Sequence, residues 1–188
     1  MRRVGLFGGS FNPIHLGHLL LAEEAKEKLL LQRIIFIPTF FSPFKKERRP
    51  HASHRYQMVR LAVRGNPAFS LSDIEIRRRG PSYTIETVRS LRKKMPKTDF
   101  FLLVGSDGLK TLPAWKEAKA LFRLCHVVIA ERPRHPLRNL PKGFKKLEIP
   151  QVDISAANLR DRIRKGKSIA YQVPAGVERY IVKHRLYR

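Results

Sequence analysis

Four near-continuous apolar runs, VGLF (4–7), RIIFIP (33–38), DFFLLVG (99–105) and HVVIAERP (126–133), and one alternating stretch, FSLSDIEI (69–76), are separated by segments of helical periodicity along the chain. A strand that is apolar at nearly every position must be covered on both faces. Strands of that kind separated by helices form a parallel sheet sandwiched between helical layers. The helical segments are expected from about Leu16 through LGHLLLAEEAKEKLLL, over SHRYQMVRLAVRG (53–65), PSYTIETVRSLRKKM (81–95), from around Trp115 to Leu124, and over SAANLRDRIRKG (155–166) and PAGVERYIVKH (174–184). KLEIP (146–150) is expected as one more short strand. Ser53 and Ser155 are expected as N-caps, and Ser82 or Tyr83 leads into Glu86 in a capping-box pattern. No repeat, linker or low-complexity stretch interrupts the pattern, so 1–188 is expected as a single doubly wound α/β domain.

In such a sheet ligands bind beyond the carboxyl ends of the strands. The first strand ends in GGSFNPIHLGH (8–18). Gly8 and Gly9 allow a tight turn and bring backbone N–H groups close to a guest. His15 and His18 lie three apart at a helix start, where partial positive charge favours an anion. Gly17 removes a side chain where something must approach. The spacing matches neither G-x-x-x-x-G-K-[ST] nor G-x-G-x-x-G, and no third ligand stands near the histidines to build a zinc site.

Charge agrees with an anionic guest. Lys and Arg number 39 against 15 Asp and Glu, a formal net charge of +24. That suits phosphorylated small molecules or nucleic acid. The basic residues are scattered, as in KKERR (45–49), RRR (77–79) and RDRIRKGK (160–167), and no nucleic-acid-binding motif is present, so no specific nucleic acid is expected as partner. No apolar run approaches the roughly 20 residues of a membrane span, and no membrane association is expected. The single cysteine, Cys125, sits in the apolar context LFRLCHVVIA, which points to a buried small hydrophobe and fits a reducing cytoplasm.

GGSFNPIHLGH resembles the signature of the HxGH nucleotidyltransferases, whose adenylyltransferases share a G-x-F-[DN]-P-x-[HT]-x-G-H block. The GGSF form with histidine at position 15 is most similar to the bacterial nicotinate-nucleotide adenylyltransferases. Further blocks carry the likeness along nearly the whole chain. PTFFSPFKK (38–46) is similar to a P-x-x-x-P-P-H-K loop, with Phe44 where histidine is usual; PSYTIETV (81–88) is similar to P-S-Y-T-x-x-T. LLVGSDGLKTLPAWKE (102–117) is similar to G-[AS]-D…L-x-x-W, AERP (130–133) to V-x-x-R-P, and DISAANLRDRI (153–163) to I-S-S-T-x-[IL]-R.

The resemblance implies adenylyl transfer from ATP to nicotinate mononucleotide, giving nicotinate adenine dinucleotide and pyrophosphate, in a Rossmann-like fold with Mg²⁺ accompanying ATP. By the same analogy His15, His18 and Arg160 serve catalysis at the phosphates. Gly8, Gly9, Ser10, Phe11, Asp107, Arg132 and Ser155 bind ATP, and Lys45, Tyr83, Thr84 and Trp115 bind the mononucleotide. Ala156 and Ala157 replace a serine and a threonine of the family pattern, leaving Asn158 as the nearby polar side chain. A phosphopantetheine adenylyltransferase usually has threonine at position 15, and the cytidylyltransferases have a different loop before HxGH.

Overall fold

In the computed structural model, which describes residues 1–43, 51–133 and 135–188, six parallel strands form one sheet. The strands are β1 (Arg2–Gly9), β2 (Arg33–Pro38), β3 (Phe69–Leu71), β4 (Thr98–Gly105), β5 (His126–Ala130) and β6 (Lys145–Leu147). The helices are α1 (Leu16–Lys28), α2 (Ala52–Val63), α3 (Ile74–Arg78), α4 (Thr84–Lys94), α5 (Ala118–Leu124), α6 (Ala156–Arg164) and α7 (Ala175–Lys183). A 3₁₀ helix spans Ser106–Ala114.

The sheet order is β3-β2-β1-β4-β5-β6. After β1 the chain builds outward on one side through β2 and β3, then crosses back to place β4 against the other edge of β1. The order therefore reverses between β1 and β4, and a crevice opens at their carboxyl ends, next to Gly9 and Gly105.

Each face of the sheet carries its own core. Phe7, Ile34, Phe36, Phe101 and Leu103 pack with Leu21, Met58, Val59, Leu159 and Val177. Leu6, Ile35, Ile37, Leu102 and Ile129 pack with Ile85, Val88 and Leu121. Residues 34–37 supply both faces in turn, which is why RIIFIP has no polar side.

Two expected elements and one expected cap differ: α2 is capped by His51, whose Nδ1 accepts the Ser53 N–H, so Ser53 lies inside the helix. FSLSDIEI is a strand only over Phe69–Leu71, and Ile74–Arg78 is helical. β3 is an edge strand with just three residues paired to β2. Beyond it, Ser72 Oγ accepts the Ile74 N–H and starts a turn. The 71–76 alternation then places Glu75 inward from a helix rather than outward from a strand. Trp115 does not begin a helix; it follows the 3₁₀ helix, and α5 starts three residues later at Ala118. Among the described residues no helix is long and apolar enough to cross a membrane.

Candidate active site

The turn after β1 is held in place by groups from distant parts of the chain. Arg55, on the buried face of α2, donates from Nη1 to Ser10 O at 2.7 Å and from Nη2 to Phe40 O at 2.9 Å. It ties Ser10, the first residue past β1, to the loop after β2; Gly8 and Gly9, expected as a tight turn, instead pair with Ile37 and Pro38 as the last residues of the strand. Arg160 Nη1 donates to Asn12 O at 2.7 Å, and the Tyr187 hydroxyl donates to Asn12 Oδ1 at 2.7 Å. Leu16 N–H, at the start of α1, donates to Gln172 O at 2.9 Å. That N–H, and that of His18, which bonds His15 O, are spent inside the protein rather than turned toward an anion.

His15 is the N-cap of α1 in extended conformation, and His18 is the third helical residue. The spacing of three brings the rings face to face, with centroids 3.7 Å apart and planes tilted by 31°. His18 Nδ1 accepts the backbone N–H of His15 at 3.2 Å, which leaves the proton of a neutral His18 ring on Nε2. Phe7 and Phe11 wall the His18 ring, with centroids 5.9 and 5.2 Å away. His15 is 2% exposed, and its Nδ1 is buried without a hydrogen-bond partner. Burial, and then the positive charge of Arg132, lower its pKa to about 3, so the ring is neutral at physiological pH. Gly17 makes room for this ring: a Cβ there would lie 3.2 Å from His15 Nδ1.

Four residues expected to meet ATP line one cleft of about 160 Å³: His15, Asp107, Arg132 and Ser155, with Gly17 and His135 beside them. Arg132 arrives just after β5 and Asp107 just after β4, and Arg132 Nε lies 3.5 Å from Asp107 Oδ1. Ser106 Oγ accepts the Arg132 N–H at 3.0 Å and fixes the start of that loop. Ser155 caps α6, its Oγ accepting from Asn158 N–H at 3.2 Å. Gly105 is small for a reason: a Cβ there would press on Asp107 Oδ1 and lie 2.7 Å from Arg132 Nε. Gly105→Ala should leave folding stability within about 1 kcal/mol, because mobile side chains take up the clash. It should raise the KM for ATP several-fold by moving the Asp107–Arg132 pair. An unchanged KM would remove that pair from nucleotide binding.

Tyr83, Thr84 and Trp115 gather at a second location. Tyr83 is the N-cap of α4 and Thr84 its first residue, while Tyr83 and Trp115 pack against the same apolar cluster. Lys116 Nζ sits 4.4 Å from the centre of the Tyr83 ring. Trp115 Nε1 donates to Thr111 Oγ1 at 3.3 Å. The expected capping box is absent, because Ser82 Oγ accepts from Phe40 N–H and the Glu86 carboxylate pairs with Lys116 at 2.7 Å. Ser82 N–H donates to Phe41 O, so the loop after β2 is pinned beside this group. Lys45 and Phe44 lie outside the described residues.

Sequence reasoning missed Arg55, Asn12, Gln172 and Tyr187. For Arg55 there was a signal: it shares the core-facing stripe of α2 with Ala52, Met58 and Val59. An arginine in such a stripe needs partners. Among the described residues no group of three His, Cys, Asp or Glu side chains could hold a metal ion. Cys125 is buried with its thiol pushed up to about 12, which makes it inert packing.

A cytidylyltransferase-like family model matches residues 6–162. The chain is 44% identical over 186 residues to a probable nicotinate-nucleotide adenylyltransferase of Thermus thermophilus, covering 99% of this chain and 100% of that one. It is 42% identical over 196 residues to a protein of the same name from Herpetosiphon aurantiacus, covering 100% and 99%. Among solved structures, Plasmodium falciparum nicotinic acid mononucleotide adenylyltransferase complexed with NaAD superposes with a TM-score of 0.83 at 20% identity, covering 100% of this chain and 98% of that one. The likeness at that identity is one of fold. This chain belongs to the cytidylyltransferase-like nucleotidyltransferases and, within them, to the nicotinate-nucleotide adenylyltransferase family.

Proposed function

We propose that the protein transfers the adenylyl group of ATP to nicotinate mononucleotide, producing nicotinate adenine dinucleotide and pyrophosphate for NAD synthesis in the cytoplasm. The observation that carries the reading is the cleft at the β1–β4 reversal, which gathers His15, Asp107, Arg132 and Ser155 in a chain of this family.

The nucleophile is a phosphate oxygen of the mononucleotide, already anionic at pH 7. Attack on the α-phosphorus needs no general base and no covalent intermediate, so catalysis comes from positioning and from stabilising charge. His18 Nε2–H is the donor assigned to the α-phosphate. Neutral His15, Arg160 and Ser155 are assigned to the β,γ-phosphates and the leaving group, and the backbone N–H groups of Gly8 to Phe11 to the nucleotide phosphates. Asp107 is assigned to the ribose and Arg132 to the nucleotide. Lys45 is assigned to the mononucleotide phosphate, with Tyr83, Thr84 and Trp115 at the nicotinate ring. Mg²⁺ enters as part of the MgATP substrate, held mainly by phosphate oxygens and water. Asp107 and Asp153 are the carboxylates lining the cleft it would enter. The strongly basic surface draws both anionic substrates toward the crevice.

The test is pyrophosphate release from MgATP with either nicotinate mononucleotide or its amide. Rapid release with the acid and much slower release with the amide is the expected result. Equal rates would break the acceptor assignment, and no release with either would break the reaction.

A further inference from the structure

Asn12 lies at the middle of the turn that carries the histidines, 5% exposed, and is gripped twice. Its carbonyl accepts from Arg160, on α6, and its side-chain oxygen accepts from Tyr187, in the segment after α7. The two donors approach from parts of the chain 148 and 175 residues away in sequence. Between them Leu16 N–H is tied to Gln172, in the connection between α6 and α7. The segment from α6 to the residues after α7 thus packs against the turn. The Tyr187 backbone is left-handed, with φ of 70°, a conformation that a non-glycine residue adopts only when its surroundings require it. Leu186 beside it is buried in the same core as Phe7, Phe11 and Ile14. The tyrosine is therefore anchored on one side by packing, with its hydroxyl directed at Asn12.

We infer that Tyr187 is a positioning residue for the adenylyl-transfer step: through Asn12 it sets where the 8–18 turn holds His15 and His18, without touching substrate itself. This inference rests on the adenylyl-transfer reading only for its kinetic part. Only Pro13 and Ile14 stand between Asn12 and His15. Releasing Oδ1 lets the turn shift by a fraction of an ångström, and such shifts of catalytic donors are costly. Arg160 has a double duty on this view, because one guanidinium nitrogen is spent on the turn while the others remain available for the phosphates.

The decisive variant is Tyr187→Phe, which removes one hydroxyl and keeps the ring. We expect kcat to fall about 5- to 30-fold, with the KM for either substrate changed by less than about two-fold and the thermal midpoint nearly unmoved. Asn12→Ala should cost at least as much. The double variant should be no worse than Asn12→Ala alone, since both substitutions remove the Asn12–Tyr187 hydrogen bond. A readout independent of turnover accompanies the kinetics: the proton and carbon resonances of the His15 and His18 rings should shift in Tyr187→Phe. Wild-type kcat together with unshifted ring resonances would overturn the inference. So would a kcat loss that merely tracks a lowered melting temperature, or multiplicative effects in the double variant. Absence of turnover in the wild type would overturn the function instead, and the ring resonances would still decide whether Tyr187 sets the turn.

Discussion

His18→Ala is expected to lower kcat by about 10²–10³-fold, equivalent to roughly 3–4 kcal/mol of lost transition-state stabilisation. The argument is geometric. Nδ1 of the ring is committed to the His15 N–H, so the ring cannot swing away and its Nε2–H keeps a fixed direction. Phe7 and Phe11 exclude water from its flanks, which strengthens any charge interaction it makes. A donor held in this way loses nothing by reorganising when negative charge shifts onto the α-phosphate oxygens. The KM for ATP should move far less than kcat, because the interaction is strongest in the transition state. The variant also leaves the His15 N–H without its acceptor, at a stability cost of about 1 kcal/mol. A thermal melt therefore has to accompany the rate measurement. A folded variant with an unaltered kcat would take His18 out of the chemistry.

The second large effect is on stability against pH. His15 is held neutral by burial, with its pKa lowered from 6.5 to about 3. In the unfolded chain the same ring takes up a proton as pH falls through 6.5, while the folded protein refuses it until about pH 3. The unfolded state therefore binds more protons over that window, and folding stability drops as the solution is acidified. The slope is about 1.4 kcal/mol per pH unit, or roughly 2 kcal/mol between pH 7.5 and 5. Denaturant unfolding of the wild type and of His15→Asn at the two pH values isolates this contribution. Buried Glu75, whose pKa is raised mainly by burial, acts in the opposite sense but is common to both proteins. The expected result is a wild type that loses about 2 kcal/mol more than the variant on acidification. Equal losses would mean that His15 titrates normally in the folded state. For the same reason His15 should contribute no inflection to the rate profile between pH 5 and 9.

How far the sequence alone reaches can be seen residue by residue. RIIFIP was readable as a two-sided strand because burial on both faces leaves no polar position. Ser155 was readable as a cap because its hydroxyl is satisfied within one turn, by Asn158 N–H. FSLSDIEI was misread beyond Leu71, since a period of two and a short buried helix look alike over six residues. The stop at Trp115 was hidden because 3₁₀ and α starts share the same turn residues.

Local chemistry is what the sequence by itself determined: the parallel α/β architecture, the GGSFNPIHLGH turn at the end of β1, and the family whose blocks recur down the chain. The architecture follows from periodicity, a property of neighbours, whereas the family is recognised by the resemblance of its blocks to those of known members. Tertiary structure alone decided the rest. It brought His15, Asp107, Arg132 and Ser155, which stand more than a hundred residues apart at the extremes, into one cleft by placing β4 beside β1. It spent the N–H of Leu16 on Gln172, buried Arg55 between two loops, and set Tyr187 against Asn12. It also made His15 a neutral ring, because a pKa depends on how much water the folded chain excludes and no spacing of residues records that.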